Sequence, residues 1–402
     1  MNDVFYSNNR QQLAKVLNGS VVVLSAYAQM QRGNDMAFGF EQEANFWWLT
    51  GIEAPDWWLI IDGTRGKSWL VAPQISDVHL IFDGSLSAEE AKRISGVDAV
   101  IVRDEAMHIL RDLAKKHSVA YTLGEQPHAE HFDFTLNPAI KTMRDMVDRT
   151  FKAVQDCRKD LAKLRAIKQP EEIVAMKKAI ALTIAGFQSV KSRLPAMNYE
   201  YEIEAELTHY FRRSGARGHA YDPIVAGGKN ACTLHYVANQ DRLKKNQLVL
   251  LDIGARVEGY AADITRTYAV AEPTARQRQV HGAVQTAHQR IVQLIEPQLT
   301  IEAYQRGVDI IMTEALLELG LMNNSDDTKN YHKYFPHAIS HGLGVDVHDS
   351  LGGPAALQPG MVLTIEPGIY IPEESIGVRI EDDILVTEGG HTNLSARLST
   401  DL

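Results

Sequence analysis

Two aspartates in the segment QLVLLDIGARVEGYAADITRT have side chains and a spacing that suit a chemical role. Asp252 ends an apolar run, and Asp263 follows eleven residues later, across a predicted turn near Gly259. In a hairpin Asp252 faces residue 263 or residue 265, depending on the loop, and in both cases the two carboxylates share one face. Two carboxylates at that distance repel each other unless one is protonated or a cation lies between them. Two solvated aspartates at strand ends are the alternative.

Three further segments add potential metal ligands. The segment YFPHAISHGLGVDVHD holds His337, His341 and His348 close to two glycines. Glu366 follows the apolar strand of MVLTIEPGIY, and Glu381 lies in GVRIEDDILVTE. Imidazole is the commonest transition-metal ligand among side chains. A predicted strand that ends in a carboxylate therefore recurs along this half of the chain, which favours convergence on one centre.

The charge of this set indicates how many ions it holds. Four carboxylates carry four negative charges and a neutral imidazole carries none, so two divalent ions balance them, whereas one ion leaves a costly surplus in a partly buried site. Such ligands suit Mn, Co or Zn, and the hard oxygen ligands favour Mn. Two ions about 3.5–4 Å apart can polarise a carbonyl for hydrolysis. The candidate ligands are Asp252, Asp263, His341, Glu366 and Glu381.

The elements that must position these residues fall into two regions. Residues 1–150 alternate strand-like and helix-like segments, which predicts a layered α/β domain. The predicted strands of this domain are 21–24, 57–61, 68–71, 97–102 and 119–123. Residues 151–193 follow a helical pattern with a break at Gln169–Pro170, and strands dominate again from residue 247. We expect an α/β protein of two domains, 1–155 and 156–402.

Composition excludes several classes of protein. The chain has 402 residues, of which 45% are hydrophobic and 23% charged, as in soluble globular proteins. A net charge of -10 argues against a nucleic-acid-binding surface. The 2 cysteines cannot form a disulfide framework and fit a reducing cytoplasm. The early apolar run 21–28 is shorter than the roughly 20 residues that span a bilayer, so we expect no membrane segment.

Together, the SHGLG, TIEPG and RIEDD segments resemble the pita-bread metallopeptidases, which include aminopeptidase P, prolidase and methionine aminopeptidase. The five candidate ligands have successive spacings of 11, 78, 25 and 15 residues, and the resemblance covers about 160–402. The segment RGNDMAFGFEQEANFWWLTG resembles the N-terminal domain of aminopeptidase P, which methionine aminopeptidases lack. The resemblance implies a creatinase-like α/β N-terminal domain and a pita-bread (α+β) catalytic domain.

The resemblance also implies a role for each candidate ligand. Asp252 would bind one ion, and His341 and Glu366 would bind the other. Asp263 and Glu381 would bridge the two ions. Glu366 would in addition exchange a proton with the attacking water, as a carboxylate beside an activated water can.

Four residues match positions that act on the substrate or support the site. His235, in TLHY, and His348, in DVHD, match the histidines that contact the scissile carbonyl and stabilise the developing oxyanion. His337 matches a histidine that lines the proline pocket. Arg379 matches an arginine that supports the acidic site through hydrogen bonds, and a surface ion pair is its alternative.

Three other polar residues near these motifs are predicted to have no catalytic role. Asp382 and Asp383 are interpreted as a solvated pair, and Tyr370 as a structural residue. The segment IPEESIG, 371–377, is shorter than in many aminopeptidase P enzymes and lacks their site-facing tyrosine, as in some prolidases. Xaa-Pro dipeptidase therefore stays open as the alternative to Xaa-Pro aminopeptidase.

The resemblance implies an exopeptidase that cleaves small peptides between an N-terminal residue and a following proline. It also implies a homodimer or homotetramer, in which the N-terminal domain of one subunit often closes the site of another. A metal-free peptide-binding protein or a creatinase-like C–N hydrolase of the same fold is the remote alternative. Those relatives lose metal ligands, whereas all five are present in this sequence.

Overall fold

The computed structural model describes residues 1–124 and 135–402. They form two compact units, Met1–Leu164 and Arg165–Leu402. The domain boundary after residue 155 stays a prediction, because a division by contacts marks compactness rather than independent folding.

The first unit is built on a six-stranded mixed sheet with the strand order β4-β3-β2-β1-β5-β6. Its strands are β1 (Val21–Ser25), β2 (Trp58–Asp62), β3 (Lys67–Val71), β4 (Ala99–Ile101), β5 (Val119–Thr122) and β6 (Ala153–Asp156). Its helices are α1 (Asp3–Val16), α2 (Ala44–Thr50), α3 (Asp77–Phe82), α4 (Ala88–Ser95), α5 (Arg103–Ala114) and α6 (Ala139–Thr150). Val23 and Ile60 of the sheet pack with Leu110 of α5 and Val147 of α6. Strands alternate with helices, so the predicted layered α/β domain is confirmed.

One stretch of this unit differs from the prediction. Residues 153–156, predicted to be helical, form β6, which pairs parallel with β5 from Val119↔Ala153 to Thr122↔Asp156. Helical spacing over a long window does not report hydrogen bonds to a distant strand, and here that tertiary pairing decides the local structure.

The second unit is an α+β unit with several short sheets. Its strands are β7 (Gly218–His219), β8 (Ile224–Gly227), β9 (Leu248–Ile253), β10 (Ala255–Val257), β11 (Tyr260–Ala261), β12 (Ile264–Ala269), β13 (Val362–Ile365), β14 (Gly368–Ile371), β15 (Ile376–Arg379), β16 (Asp382–Thr387) and β17 (Gly390–Asn393). Its helices are α8 (Pro170–Arg193), α9 (Glu200–Arg213), α10 (Ala275–Val292), α11 (Ile301–Glu318) and α12 (Thr328–Tyr334), and α7 (Arg158–Ala166) precedes them.

The pairing of these strands brings distant acidic residues together. β9 lies between β8 and β12, and Asp252 faces Thr265, which is one of the two predicted registers. β16 lies between β13 and β17. Isolated bridges join Thr265 to Glu381 and Gly342 to Leu363, so the two sheets and the histidine-rich segment meet at one place.

The longest helix, α8, packs in the core. Pro170 begins it and Glu171 and Glu172 lie in its first turn, as helix N-termini prefer. Among the described residues, the stretch 170–196 is long and apolar enough to cross a membrane, but half of its most apolar window is buried. Its residues Ile180 and Phe187 belong to a buried apolar cluster, so α8 is a core helix of the second unit.

Candidate active site

Three of the predicted ligands, Asp263, His341 and Glu381, lie together where the sheets meet. One ligand atom from each residue lies within 4.8 Å of the others. Asp263 immediately precedes β12 and Glu381 immediately precedes β16, and the bridge between Thr265 and Glu381 holds these strands side by side. Two carboxylates and an imidazole at this spacing are suited to bind a divalent cation.

The hydrogen bonds of His341 direct one ring nitrogen toward the acidic residues. Nδ1 lies 3.0 Å from the carbonyl oxygen of Gly342, so Nδ1 carries the hydrogen. Nε2 lies 3.4 Å from Oδ2 of Asp263 and 3.7 Å from Oε1 of Glu366. Burial lowers the pKa of His341, but the hydrogen bond and charge of Asp263 and the charge of Glu366 outweigh burial and raise that pKa to about 9. The site therefore favours a positive charge at Nε2, from a proton or from a metal ion.

The other carboxyl groups at this junction repel one another, and Asp263 and Glu381 are buried while Glu366 is half-buried. Burial, followed by repulsion from neighbouring carboxylates, raises the pKa of Glu381 well above its usual range. Burial is also the largest cause that raises the pKa of Asp263, and it raises the pKa of Glu366 to about 7. The hydroxyl of Thr265 donates to Glu381 at 2.6 Å, and that of Thr364 donates to Glu366 at 3.3 Å. Neutral donors orient these groups without balancing their charge.

Asp252 joins the set through a tyrosine and an arginine. The hydroxyl oxygen of Tyr221 lies 2.6 Å from Oδ1 of Asp252 and 2.6 Å from Oδ1 of Asp263. The guanidinium of Arg379 donates to Oδ2 of Asp252 at 2.5 Å. Tyr221 has a single hydroxyl hydrogen and cannot donate it to both carboxylates at once. Asp252 and Asp263 therefore share one donor, which ties them to a common geometry.

Arg379 extends this hydrogen-bond network to His337. Its NH1 group donates to the hydroxyl of Tyr370 at 2.7 Å, and its Nε donates to Thr265 at 3.2 Å. The Tyr370 hydroxyl lies 2.9 Å from Nε2 of His337, whose Nδ1 lies 2.8 Å from the carbonyl of Ala338. Nδ1 therefore carries the hydrogen, and Nε2 accepts from Tyr370. The interpretation of Tyr370 as a structural residue missed these contacts, and the alternative of a surface ion pair for Arg379 is wrong because Arg379 is buried.

The three histidines predicted to contact substrate occupy different positions around the acidic cluster. Burial is the largest cause that lowers the pKa of His337 to about 4, so this imidazole is neutral at pH 7. The ring of His348 lies 4.2 Å from the ring of His341, centroid to centroid. His235 is exposed, and its charge is among the causes that lower the pKa of His337.

The prediction that Asp382 and Asp383 form a solvated pair is wrong, because both are buried. They lie on β16, the central strand of its sheet, where Asp382 is 2% and Asp383 is 0% exposed. Asp382 accepts hydrogen bonds from Arg266 and from Asn393, each at 2.6 Å. Asp383 accepts a hydrogen bond from the backbone N–H of Asp263 at 3.3 Å, so it helps to hold the backbone of a predicted ligand.

The residues present fit divalent metal ions. The cluster combines carboxylates, whose pKa values are raised by burial and by repulsion from one another, with an imidazole nitrogen, Nε2 of His341, that faces two of them. Oxygen-rich sets with one imidazole are typical of Mn, Co and Zn sites. The individual roles assigned to the five ligands, to Arg379 and to the three histidines stay predictions.

Sequence patterns missed Tyr221, which contacts two predicted ligands. It lies 31 residues before Asp252 and 42 before Asp263, in the segment GHAYDP. No strand-end or motif pattern marks this tyrosine, because its proximity to the carboxylates depends on how β7 and β9 are placed. Only three-dimensional pairing of distant segments could reveal it.

Comparison with known proteins identifies two families that match different parts of the chain. Residues 174–388 match the family described as Metallopeptidase family M24, and residues 6–121 match the family described as Aminopeptidase P, N-terminal domain. The chain is 33% identical over 419 residues to the Xaa-Pro aminopeptidase of Escherichia coli (strain K12), an alignment that covers 97% of this chain and 94% of that protein.

Solved structures of E. coli aminopeptidase P also resemble the whole chain. The structure with the inhibitor Pro-Leu has a TM-score of 0.85 and 30% identity, and the match covers 100% of this chain and 96% of that chain. The zinc-substituted enzyme in complex with product has a TM-score of 0.86 and 30% identity, with the same coverage of 100% and 96%.

Proposed function

The chain belongs to metallopeptidase family M24, and we infer from this membership and from the assembled acidic site that it is a metal-dependent Xaa-Pro aminopeptidase. It hydrolyses the peptide bond between an N-terminal residue and a following proline. The predicted fold, an N-terminal aminopeptidase P domain followed by a pita-bread domain, is confirmed by the full-length similarity. The observation that carries the function is the convergence of Asp263, His341 and Glu381 in a chain with this domain pair.

We propose two divalent ions per subunit, with Mn as the preferred metal and Co or Zn as alternatives. Four carboxylates carry four negative charges, and the guanidinium of Arg379 offsets one of them at Asp252, so a single divalent ion would still leave a negative surplus in a largely buried site. Asp252, Asp263, His341, Glu366 and Glu381 would hold the ions. When bound there, the ions would supply Lewis-acid polarisation of the scissile carbonyl and would lower the pKa of a bound water.

The side chains around the ligands have separate tasks in this proposal. Glu366 exchanges a proton with the attacking water, as a carboxylate held beside an activated water can. His235 and His348 donate hydrogen bonds to the scissile carbonyl as negative charge develops on its oxygen. Arg379 keeps Asp252 and Tyr370 in place through its two terminal nitrogens.

His337 suits the proline side of the substrate. Its ring packs edge-on against Phe335 and Tyr370, with centroid distances of 5.1 and 5.5 Å. Its Nε2 accepts from Tyr370 and its Nδ1 donates to a backbone carbonyl, so the ring has no hydrogen-bond demand left for the substrate. A neutral ring in an aromatic group matches the apolar pyrrolidine ring of proline.

Chelation and a substrate panel test this function. Removal of metal with a strong chelator should abolish hydrolysis of Xaa-Pro-Xaa tripeptides, and Mn or Co should restore it. Tripeptides should be cleaved at least as fast as Xaa-Pro dipeptides, because the short segment 371–377 adds no Lys or Arg to bind a free proline carboxylate. Full turnover without detectable metal would contradict the metal site, and strict dipeptide specificity would identify a dipeptidase.

We further propose a cytoplasmic homodimer or homotetramer. Cys157 and Cys232 are both free thiols, which suits a reducing compartment. The small helix α3 in the first unit has no buried residue and exposes several apolar side chains, which suits contact with a second copy of the chain.

A further inference from the structure

A buried carboxylate outside the metal-ligand set holds the segment that carries His235. Glu200 begins α9 and is 0% exposed. Its oxygens accept four hydrogen bonds: Oε1 from the Gly227 N–H at 2.8 Å and the Asn230 side-chain amide at 3.0 Å, and Oε2 from the Tyr236 hydroxyl at 2.8 Å and the Asp241 N–H at 2.8 Å.

Only an ionised carboxylate matches these four donors. A carboxylate has two oxygens with about four lone-pair sites and no hydrogen of its own, so each oxygen serves two donors. Among residues 1–124 and 135–402, no Lys, Arg or His lies within 4.0 Å of the Glu200 carboxylate as an ion pair. The charge is stabilised by N–H and O–H dipoles, together with its place in the first turn of α9.

The four donors are distributed along one segment. Gly227 ends β8, Asn230 lies in the short 3-10 turn Gly228–Cys232, and Asp241 closes the segment. Tyr236 is the neighbour of His235, whose own side chain is exposed. Between residues 233 and 247 the described chain contains no helix or strand, so regular structure does not fix His235.

We propose that Glu200 is a positioning residue for His235, through which it increases turnover without contact with substrate or metal. The inference rests on the proposed function, in which His235 stabilises the oxyanion. That task requires a fixed imidazole, because a displacement of about 1 Å can cost on the order of 100-fold in rate. By holding the start, the middle and the end of the segment, one carboxylate limits the motion of His235.

Glu200→Gln is the sharpest substitution, because it keeps the shape and removes one acceptor oxygen. In glutamine one of the two carboxylate oxygens becomes an NH2 group, which cannot accept a hydrogen bond. Because each oxygen of Glu200 accepts from two donors, two of the four hydrogen bonds are lost in either orientation of the amide. Glu206→Gln is the matched control. Glu206 lies on the same helix, but its carboxylate accepts from Ser189 and Arg193, which belong to α8 and not to the His235 segment.

A double-mutant cycle on the Mn-loaded full chain tests the inference. We expect Glu200→Gln to lower kcat by about 10- to 100-fold with KM and metal content nearly unchanged, because an oxyanion contact acts in the transition state. In a His235→Ala background the same substitution should lower kcat by less than about threefold, since the two residues act as one unit. Glu206→Gln should retain the wild-type kcat in both backgrounds.

Tyr236→Phe removes a single donor and leaves the backbone unchanged, so it serves if Glu200→Gln fails to fold. We expect a smaller loss of kcat that also disappears in the His235→Ala background. The inference would be overturned if Glu200→Gln lowered kcat by the same factor with and without His235. It would also be overturned if Glu200→Gln kept the wild-type kcat, or if Glu206→Gln lowered kcat as much. Absence of turnover by the wild type on every Xaa-Pro peptide would instead overturn the proposed function, and this inference with it.

Discussion

At the scale of single residues, the hydroxyl of Tyr221 is the shared donor of two carboxylates. We expect Tyr221→Phe to weaken metal binding by about 10- to 100-fold, as the loss of hydrogen bonds to metal ligands usually does. Metal retained after dialysis, followed by Mn titration of the apoprotein, would measure the change. Tyr268→Phe is the matched control, because this buried hydroxyl has no hydrogen-bond partner among the described residues. Equal metal retention in both variants would contradict a role for Tyr221.

Glu381 and Arg379 differ in how directly they would act on the metal. Glu381 is a proposed ligand, and its carboxylate lies close to potential ligand atoms of Asp263 and His341. Arg379 is not a proposed ligand and donates a hydrogen bond to Asp252, which is one. We expect Glu381→Ala to lose most of its bound metal and Arg379→Ala to lose less, while both lower turnover. Metal analysis alongside kcat measures both effects. Full metal occupancy in Glu381→Ala would remove Glu381 from the ligand set.

Residue types and spacing predicted five ligands, of which the structure brings Asp263, His341 and Glu381 together, but these patterns did not predict the contacts around them. The motifs around His341, Glu366 and Glu381 are contiguous in sequence, so a pattern can identify them. Asp383 is buried because of the tertiary packing around β16, which no local pattern reports. Contacts of this kind, like those of Tyr221, follow from strand order and register rather than from composition.

At the scale of elements, apolar periodicity predicted most strands of the first unit to within one or two residues. The strand predicted at 21–24 is β1, and the one predicted at 68–71 is β3. The helical pattern over residues 153–156 predicts the wrong element because β6 pairs with β5, and the paired residues are more than 30 positions apart in the chain. In the second unit the alternative registers left open for Asp252 are decided by the β9–β12 ladder, which pairs Asp252 with Thr265.

Helix α10 contains a buried histidine that makes stability depend on pH. Burial is the largest cause that lowers the pKa of His281 to about 4, with Asp401 acting in the opposite direction and Lys191 and Arg266 in the same direction. In the unfolded chain a histidine titrates near 6.5, so between pH 6.5 and 4 the unfolded state binds the extra proton. Stability from this group is complete above pH 6.5 and is lost as pH falls toward 4.

We expect the loss to reach about 2 kcal/mol at pH 4.5. His281→Gln should therefore show a smaller decrease in unfolding free energy between pH 7 and pH 4.5 than the wild type does. Urea unfolding at both pH values measures the difference. His332→Gln on α12, where the side chain is exposed, is the control and should decrease as the wild type does. The same decrease in all three proteins would contradict a neutral buried His281.

At the scale of the whole molecule, the motifs identified the pair of domains that the family matches confirm. Assembly is not encoded in such patterns, because an interface depends on which side chains folding leaves exposed. The candidate surface, the α3 apolar patch, consists of Ile75, Val78, Leu80, Ile81 and Phe82. Val78 is 64%, Ile81 is 79% and Phe82 is 80% exposed, and no residue of α3 is buried.

A stable subunit interface buries about 800 Å² on each partner, with apolar side chains at its centre. If the α3 apolar patch supplies that centre, Ile81→Lys with Phe82→Lys would place two like charges on each contacting surface, and the desolvation of these charges would oppose association. We expect light scattering to give a dimer or tetramer mass for the wild type and a smaller mass for the double variant.

Val174→Lys on α8, also an exposed apolar position, is the control and should keep the wild-type mass. Because the substitutions lie on a helix without buried residues, the thermal unfolding of the double variant's subunit should change little. A monomeric wild type would contradict the assembly, and an unchanged mass in the double variant would place the interface elsewhere.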